Sequence, residues 1–294
     1  MSDTFSLAPS HAAPTGSATP TLATGRVALT VHDIDRVAAF YEQAIGLRLL
    51  RRDGETAELG AAGDVLLELR HDPAARRRSP REAGLFHTAF LLPDRTDLAR
   101  FVQHLAETRT PVVGASDHEV SEAIYLSDPE GNGVEVYADR PASAWEWSNG
   151  LVRMSTDALD IPGLVASAGD ILWGGFPAGS KVGHVHLQVG AITPAEAFYA
   201  GTLGLAVTCR YPGATFFAAD GYHHHIATNI WNSRGAEPRS YPSTGLTEVE
   251  IRISPERLAA VRERAAASGA RGEGELVLQD PWNTAISLVP VPAI

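Results

Sequence analysis

The chain has 294 residues, 44% of them hydrophobic and 20% charged, and a formal net charge of −11. That length and composition suit about two soluble globular domains, and the acidity argues against nucleic acid or an anionic membrane surface as partner. Cys209 is the only cysteine, which excludes an intrachain disulfide and a thiolate metal cluster and fits a reducing compartment. No apolar run approaches the roughly 18 residues of a membrane span. Residues 1–23 are rich in Ser, Thr, Ala and Pro and lack both a basic start and an apolar core. They read as a disordered tail and not as a signal peptide, so a cytoplasmic protein is expected.

After the tail the chain repeats one pattern four times. The first unit opens with Gly25-Arg26-Val27-Ala28-Leu29-Thr30-Val31, an alternating stretch that predicts a strand. Ile34, Val37, Phe40, Tyr41 and Ile45 follow at helical spacing, and Gly46 suits a left-handed C-terminal cap. Further alternating segments end in Val65-Leu66-Leu67-Glu68-Leu69. The second unit begins at Gly84-Leu85-Phe86-His87 and has a helix with Leu98, Phe101, Val102 and Leu105 on one face. Its last two strands flank Asp128-Pro129-Glu130-Gly131-Asn132-Gly133, which is strong turn chemistry.

Residues 141–180 form a linker with Trp145 and Trp147, expected to pack against a domain, and with a short helix near 161–168. The third unit opens with Gly183-His184-Val185-His186-Leu187-Gln188-Val189. It repeats the first at a constant offset of 158, so that Arg26 matches His184, Tyr41 matches Tyr199 and Gly46 matches Gly204. Its helix start reads as Thr193 N-cap, Pro194 at the first position and Glu196 completing a capping box. The unit closes with Tyr222-His223-His224-His225-Ile226-Ala227. The fourth unit starts at Gly245-Leu246-Thr247-Glu248, has a helix begun by Ser254-Pro255, and ends near Ser287-Leu288. The expectation is an α+β protein of four βαβββ modules whose curled mixed sheets form half-barrel cups. In sequence order the modules group as an N-terminal domain over 24–140 and a C-terminal domain over 181–294.

This βαβββ repeat resembles the vicinal oxygen chelate superfamily of glyoxalases, fosfomycin- and bleomycin-resistance proteins and extradiol dioxygenases. Ser116-Asp117-His118, the stretch Ser127 to Tyr137, and Gly221-Tyr222-His223-His224-His225 look most like its catechol-2,3-dioxygenase branch. The resemblance implies metal ligands at the entry of a module's first strand and within its last strand. The entry positions are Arg26, His87, His184 and Glu248; the last-strand positions include Glu68, Glu135 and Ser287. Only units two and three then supply two histidines and a carboxylate, namely His87, Glu135 and His184. Such a face leaves open coordination positions and suits Fe(II), with Mn(II) as the other hard-ligand metal. In the extradiol enzymes the ligands come from units three and four, so the spread over units two and three is a departure that bears on how the modules pair. Arg26 and Glu248 in the other cup are expected to form an ion pair or to point apart, and to bind no metal.

The same resemblance implies a second histidine in the pattern His-x-x-Ala, which His224 to Ala227 matches with His224 as acid or base; strand parity leaves His225 open in its place. Tyr125, four residues before Pro129, fits the family's tyrosine and equally a core aromatic. His186 shares a face with His184 and lines the cavity or packs in the core. His118 lies in a loop and gates substrate or does nothing. A catechol loses protons as it chelates a metal, and a proton returns when the O–O bond breaks, which an imidazole can serve near neutral pH. The implied activity is extradiol cleavage of a catechol by O2 to a muconic semialdehyde, by a chain that could pair into a homo-oligomer through its sheet edges. The alternatives are a glyoxalase-type isomerase or thiol transferase, for which no second ligand glutamate is found at the end of unit three, and a metal-free protein that binds an aromatic drug.

Overall fold

The computed structural model describes residues 20–266 and 276–291. Most of the tail expected over 1–23 lies outside these residues, and its last part does not behave as a tail. Strand β1 spans Leu22–Val31 and already pairs at Leu22 with Ile253, while the Thr21 amide donates to Asp220 Oδ2 at 2.7 Å.

All four units are present, the fourth with two strands after its helix among the described residues where three were expected. The first comprises β1, helix α1 (Ile34–Phe40), β2 (Arg48–Arg52), β3 (Thr56–Ala61) and β4 (Asp64–His71). Its helix runs on as a wider π turn over Tyr41–Ile45 and stops at Gly46, whose φ of 96° needs a residue without Cβ. The second unit has β5 (Gly84–Leu92), α2 (Arg95–Thr108), β6 (Gly114–Asp117), β7 (Ser121–Ser127) and β8 (Gly133–Asp139). The linker holds the short strands β9 (Trp147–Ser148) and β10 (Leu151–Val152) and the short helix α3 (Ile161–Val165). The third unit has β11 (Lys181–Gln188), α4 (Ile192–Glu196), β12 (Ala206–Tyr211), β13 (Ala214–Ala218) and β14 (Ile226–Asn229). The fourth has β15 (Gly245–Ile253), α5 (Pro255–Ala266), β16 (Leu276–Gln279) and β17 (Ala285–Pro290).

Two local expectations need correction. Helix α4 begins at Ile192 with Ala191 as its cap and no side-chain cap bond, because Glu196 turns outward to Arg210 and accepts from the Thr215 hydroxyl at 3.0 Å. Thr193 and Glu196 therefore form no capping box. The triple histidine does not lie in a strand either: β14 starts only at Ile226, so strand parity cannot choose between His224 and His225.

The sheets group the modules differently from the sequence order. One sheet runs β16-β17-β15-β1-β4-β3-β2 and joins units four and one; the other runs β12-β13-β14-β11-β5-β8-β7-β6 and joins units three and two. Each cup is closed by antiparallel pairing of two first strands, β1 with β15 and β5 with β11. A module's first strand has its own last strand on one side and an unpaired edge on the other, and that edge is a template for a partner strand. The connection from β4 to β5 thus crosses from one cup to the other. Thr24 Oγ1 donates to the Gly183 carbonyl at 3.2 Å, and the Glu130 carboxylate accepts from the His32 and Asp33 amides at 2.8 Å. Both contacts link the cups. The buried core runs continuously through them, with Tyr41, Phe90, Tyr199 and Phe217 fully buried.

The linker packs as the tryptophans foretold. Trp145 Nε1 donates to the carbonyls of Val120 and Arg140 at 3.2 and 3.1 Å, and its ring lies 5.1 Å from that of His223.

Candidate metal centre

The cup of units two and three holds a cavity of about 540 Å³, and its floor is one row of residues across four adjacent strands. His184 on β11 stands opposite Ala89 on β5, Ala89 opposite Glu135 on β8, and Glu135 opposite Tyr125 on β7. His87 is two residues before Ala89, so it shares that face. Ala89 is the smallest side chain in the row, and the longer His184 and Glu135 close over it. The hairpin around Asp128 fixes the last pairing: Asp128 Oδ1 accepts from the amides of Glu130 and Asn132, both at 2.8 Å, and its Oδ2 from Asn132 Nδ2 at 2.8 Å.

A ligand atom from each of His87, Glu135 and His184 lies within 4.8 Å of the other two. Glu135 Oε2 is 2.9 Å from His87 Nε2 and 3.4 Å from His184 Nε2. Two atoms on adjacent octahedral positions of a divalent ion, each bonded at about 2.1 Å, stand about 3.0 Å apart, so the spacing fits one ion with little movement. The three residues are 2–6% exposed, and His87 Nε2 and His184 Nδ1 are buried without a hydrogen-bond partner. Burial would push the Glu135 carboxyl up, but the His184 and His87 imidazoles outweigh it and hold it well below the usual carboxylate range. Burial pulls His184 down to about 4 against the opposing pull of Glu135. At neutral pH the set is an ionised carboxylate with a neutral His184 imidazole, the protonation state that metal binding needs.

The other sequence-selected residues separate cleanly. Tyr125, His118, His186 and His224 line the cavity; His225 does not. His118 Nδ1 donates to the Ser155 carbonyl at 2.6 Å, which leaves Nε2 to accept the Tyr125 hydroxyl proton at 2.6 Å. Burial, with the Glu135 charge beside it, keeps Tyr125 well above the usual phenol range. His186 Nε2 accepts from Asn229 Nδ2 at 3.0 Å, and its ring sits 4.9 Å from that of His87. His225 turns away: its Nδ1 accepts from the Ala219 amide at 3.3 Å, and its ring lies 4.9 Å from that of Tyr222.

His224 packs against His184 with ring centroids 4.0 Å apart, and a buried chain of groups lies behind it. Tyr222 donates to Asp139 Oδ2 at 2.9 Å and accepts from the Tyr137 hydroxyl at 2.8 Å. His223 Nε2 donates to Asp139 Oδ1 at 2.8 Å. His223 Nδ1 is then an acceptor, and His224 Nδ1 donates to it at 2.7 Å. This assignment leaves His224 Nε2 without a proton. Burial and the surrounding histidines hold His224 neutral, well below its usual range. The arrangement therefore presents a neutral base beside the three converging ligand atoms.

Sequence reasoning missed His223, Asp139, Tyr137 and Tyr222, because such a chain is assembled from two segments far apart in sequence. It also missed the linker's share of the wall, Met154 to Thr156, and an aromatic slot in which the Phe86 ring lies 5.0 Å from His186 and 5.5 Å from Trp231. Gly183 on β11 did carry a signal: a Cβ there would stand 1.8 Å from the Tyr137 hydroxyl. In the other cup Arg26 occupies the place of His184. It lies 3.3 Å from Glu68, 3.4 Å from Glu248 and 3.5 Å from Glu250, so the expected ion pair forms within a larger charged cluster. Among the described residues no helix is long and apolar enough to cross a membrane.

The comparisons agree with this architecture. Residues 23–136 match the model of the Glyoxalase/Bleomycin resistance protein/Dioxygenase superfamily. The chain is 43% identical over 227 residues to a catechol-2,3-dioxygenase of Bacillus subtilis (strain 168), covering 76% of this chain and 79% of that protein. Among solved structures, glyoxalase I of Zea mays superposes with a TM-score of 0.57 at 16% identity, over 92% of each chain. The cppA protein of Streptococcus pneumoniae TIGR4 superposes with a TM-score of 0.57 at 11% identity, over 92% of this chain and 97% of the other. With four modules curled into two cups and such a relative along most of its length, the chain belongs to the glyoxalase/bleomycin resistance/dioxygenase superfamily.

Proposed function

We propose that the protein is an extradiol dioxygenase that opens the ring of a catechol beside its diol, with both atoms of O2 entering a muconic semialdehyde product. The observation that carries this reading is the convergence of His87, Glu135 and His184 on the floor of a cavity large enough for an aromatic ring. His87, Glu135 and His184 would hold Fe(II); Mn(II) takes the same hard ligands. The metal, when bound, supplies a Lewis-acidic, one-electron-active centre with open positions beside the three ligands.

The remaining work falls to the chain. His224 Nε2 accepts a proton from the diol and gives one back as the O–O bond breaks, and the Asp139–His223 pair behind it holds the ring and its tautomer. Tyr125 and His118 form a second hydrogen-bonded pair on the opposite wall. Phe86, His186 and Trp231 hold the substrate ring edge-on.

The test is anaerobic loading with Fe(II), addition of catechol and O2, and measurement of oxygen uptake together with the yellow ring-opened product. One O2 consumed per product, with loss in His184→Ala and Glu135→Ala, supports the reading. Bound metal without oxygen uptake on any simple catechol would turn the assignment to an isomerase or transferase on the same ligands.

A further inference from the structure

One end of the cavity carries a charge that no described carboxylate answers. Arg78, in the loop between β4 and β5, lines the cavity together with Gln188 of β11. Its guanidinium is held by neutral acceptors only: Nε donates to the Ala83 carbonyl at 3.1 Å, and Nη2 to the Glu82 carbonyl at 3.0 Å and to Gln188 Oε1 at 2.7 Å. Gln188 is fixed in turn by its Nε2 bond to the Pro80 carbonyl at 2.9 Å. Nη1 has no acceptor among the described residues. The nearby Glu82 side chain is committed to Arg76 and to the Ser79 amide, at 3.0 and 2.7 Å.

A second guanidinium reinforces the first. Arg239 is 3% exposed, and both arginines crowd Gly84: a Cβ there would stand 2.9 Å from Arg239 Nη1 and 2.9 Å from Arg78 Nε. Arg239 also rests on neutral oxygens, those of Leu246, Ser243 and Thr244. Burial, and then the Arg239 charge, pull Arg78 down to about 10, so the pair is cationic at neutral pH and poorly neutralised. A cation at the wall of a cavity with a second one buried beside it, in a chain of net charge −11, is costly unless an anion arrives there. Glu130 also lines the cavity, but its carboxylate is taken by the amides of His32 and Asp33.

The position along the strand sets the size of that anion's carrier. Gln188 is four residues beyond His184 on the same face of β11, about 13 Å along the strand, and Arg78, bonded to it, lines the cavity there. The cavity of about 540 Å³ exceeds the roughly 150 Å³ that a bare catechol fills at interior packing density. The aromatic slot of Phe86, His186 and Trp231 lies between the two ends. From the free Nη1 of Arg78 at the far end of the cavity from the converging ligands, we infer that the substrate is a catechol whose ring carries a short side chain ending in a carboxylate. This deepens the dioxygenase reading and rests on it for the diol end; Arg78 is the specificity-determining residue for the acid end.

The test compares 3,4-dihydroxyphenylacetate with 4-ethylcatechol, which match in size and differ in charge. The Fe(II)-loaded protein is assayed in air for kcat/KM and, anaerobically, for dissociation constants by quenching of tryptophan fluorescence. The wild type is expected to favour the acid by about 30-fold or more, the scale of a charge-assisted contact in a cavity. Arg78→Met should erase most of that ratio, and Arg78→Lys should keep part of it, since the charge stays while the bonds that orient the guanidinium are lost. An Arg78 that merely ties down its loop would lower stability and leave the ratio between the two ligands unmoved, and that result overturns the inference. So does a wild type indifferent to the charge while opening both rings, in which case the dioxygenase reading stands alone. Charge-selective anaerobic binding that depends on Arg78, without ring opening of either compound, would keep the acid-binding site and remove the dioxygenase.

Discussion

Acid should unfold the metal-free protein well above the range in which carboxylates titrate, because its buried histidines are held neutral. Burial holds His186 and His224 well below their usual value and His225 at about 3. The unfolded chain binds a proton on each near 6.5, and the folded chain does not. Stability from these groups is therefore complete above about pH 7 and is lost as pH falls through 6.5 and below. At about 1.4 kcal/mol per unit, His225 costs roughly 2 kcal/mol at pH 5, and His186 and His224 add to the loss in the same sense. Against a domain's stability of about 5–15 kcal/mol that is a large share. Asp128 and Asp280, raised by burial, work in the opposite sense, but from the lower base of the carboxylates. The assay is urea unfolding of chelator-treated protein by circular dichroism at pH 7.5, 6 and 5. His225→Asn is the control: its amide oxygen can take the Ala219 N–H bond now made by Nδ1, and it cannot titrate. It should recover about 2 kcal/mol of the loss at pH 5. A stability that stays flat from pH 7.5 to 5, or a variant as acid-sensitive as the wild type, would refute the reasoning.

Fe(II) or Mn(II) at 100 times its dissociation constant should stabilise the folded chain by about 2.7 kcal/mol, read as a rise in melting temperature that vanishes in Glu135→Gln. Asp139→Asn removes the anionic acceptor behind His223 and should lower kcat about 10–100-fold, with one metal per chain still retained by elemental analysis. Gly183→Ala forces a Cβ against the Tyr137 hydroxyl and should cost about 3 kcal/mol or more in a chemical melt. Arg26→Leu leaves Glu68, Glu248 and Glu250 to Arg70 and Arg252 alone; the expected loss is about 1–3 kcal/mol, shrinking in high salt.

The repeat at offset 158 was legible because each module needs the same few residues in the same places: an alternating first strand, a Phe-Tyr pair in the helix, and a glycine at its end. Gly46 and Gly204 adopt the left-handed turn that their position implied, with φ of 96° and 73°. Helix starts were less legible, since Ile192 and Ala191 open a turn without any side-chain cap. The chain Tyr137–Tyr222–Asp139–His223–His224 was invisible for a different reason. Asp139 and His223 are 84 residues apart, and nothing local distinguishes His223 from its two neighbours. Only the irregular backbone before β14 gives the three imidazoles three different directions.

How the modules pair was also undecided by the repeat itself, because all four have first strands able to accept a partner. The ligand types carried the missing constraint. Two histidines and a carboxylate can meet only if β5 and β11 share a sheet, and that pairing obliges β1 to find β15. The two cups then solve the same electrostatic problem in different ways. Around Arg26 the carboxylates of Glu68, Glu248 and Glu250 face the guanidiniums of Arg26, Arg70 and Arg252, and the charges cancel within the chain. Around His184, which holds the equivalent place, Glu135 faces imidazoles, with His184 neutral at pH 7, and the balance is left for a cation from outside. Two differences at the strand entries, Arg26 for His184 and Glu248 for His87, thus separate a cup closed by its own charges from one whose residues fit a metal.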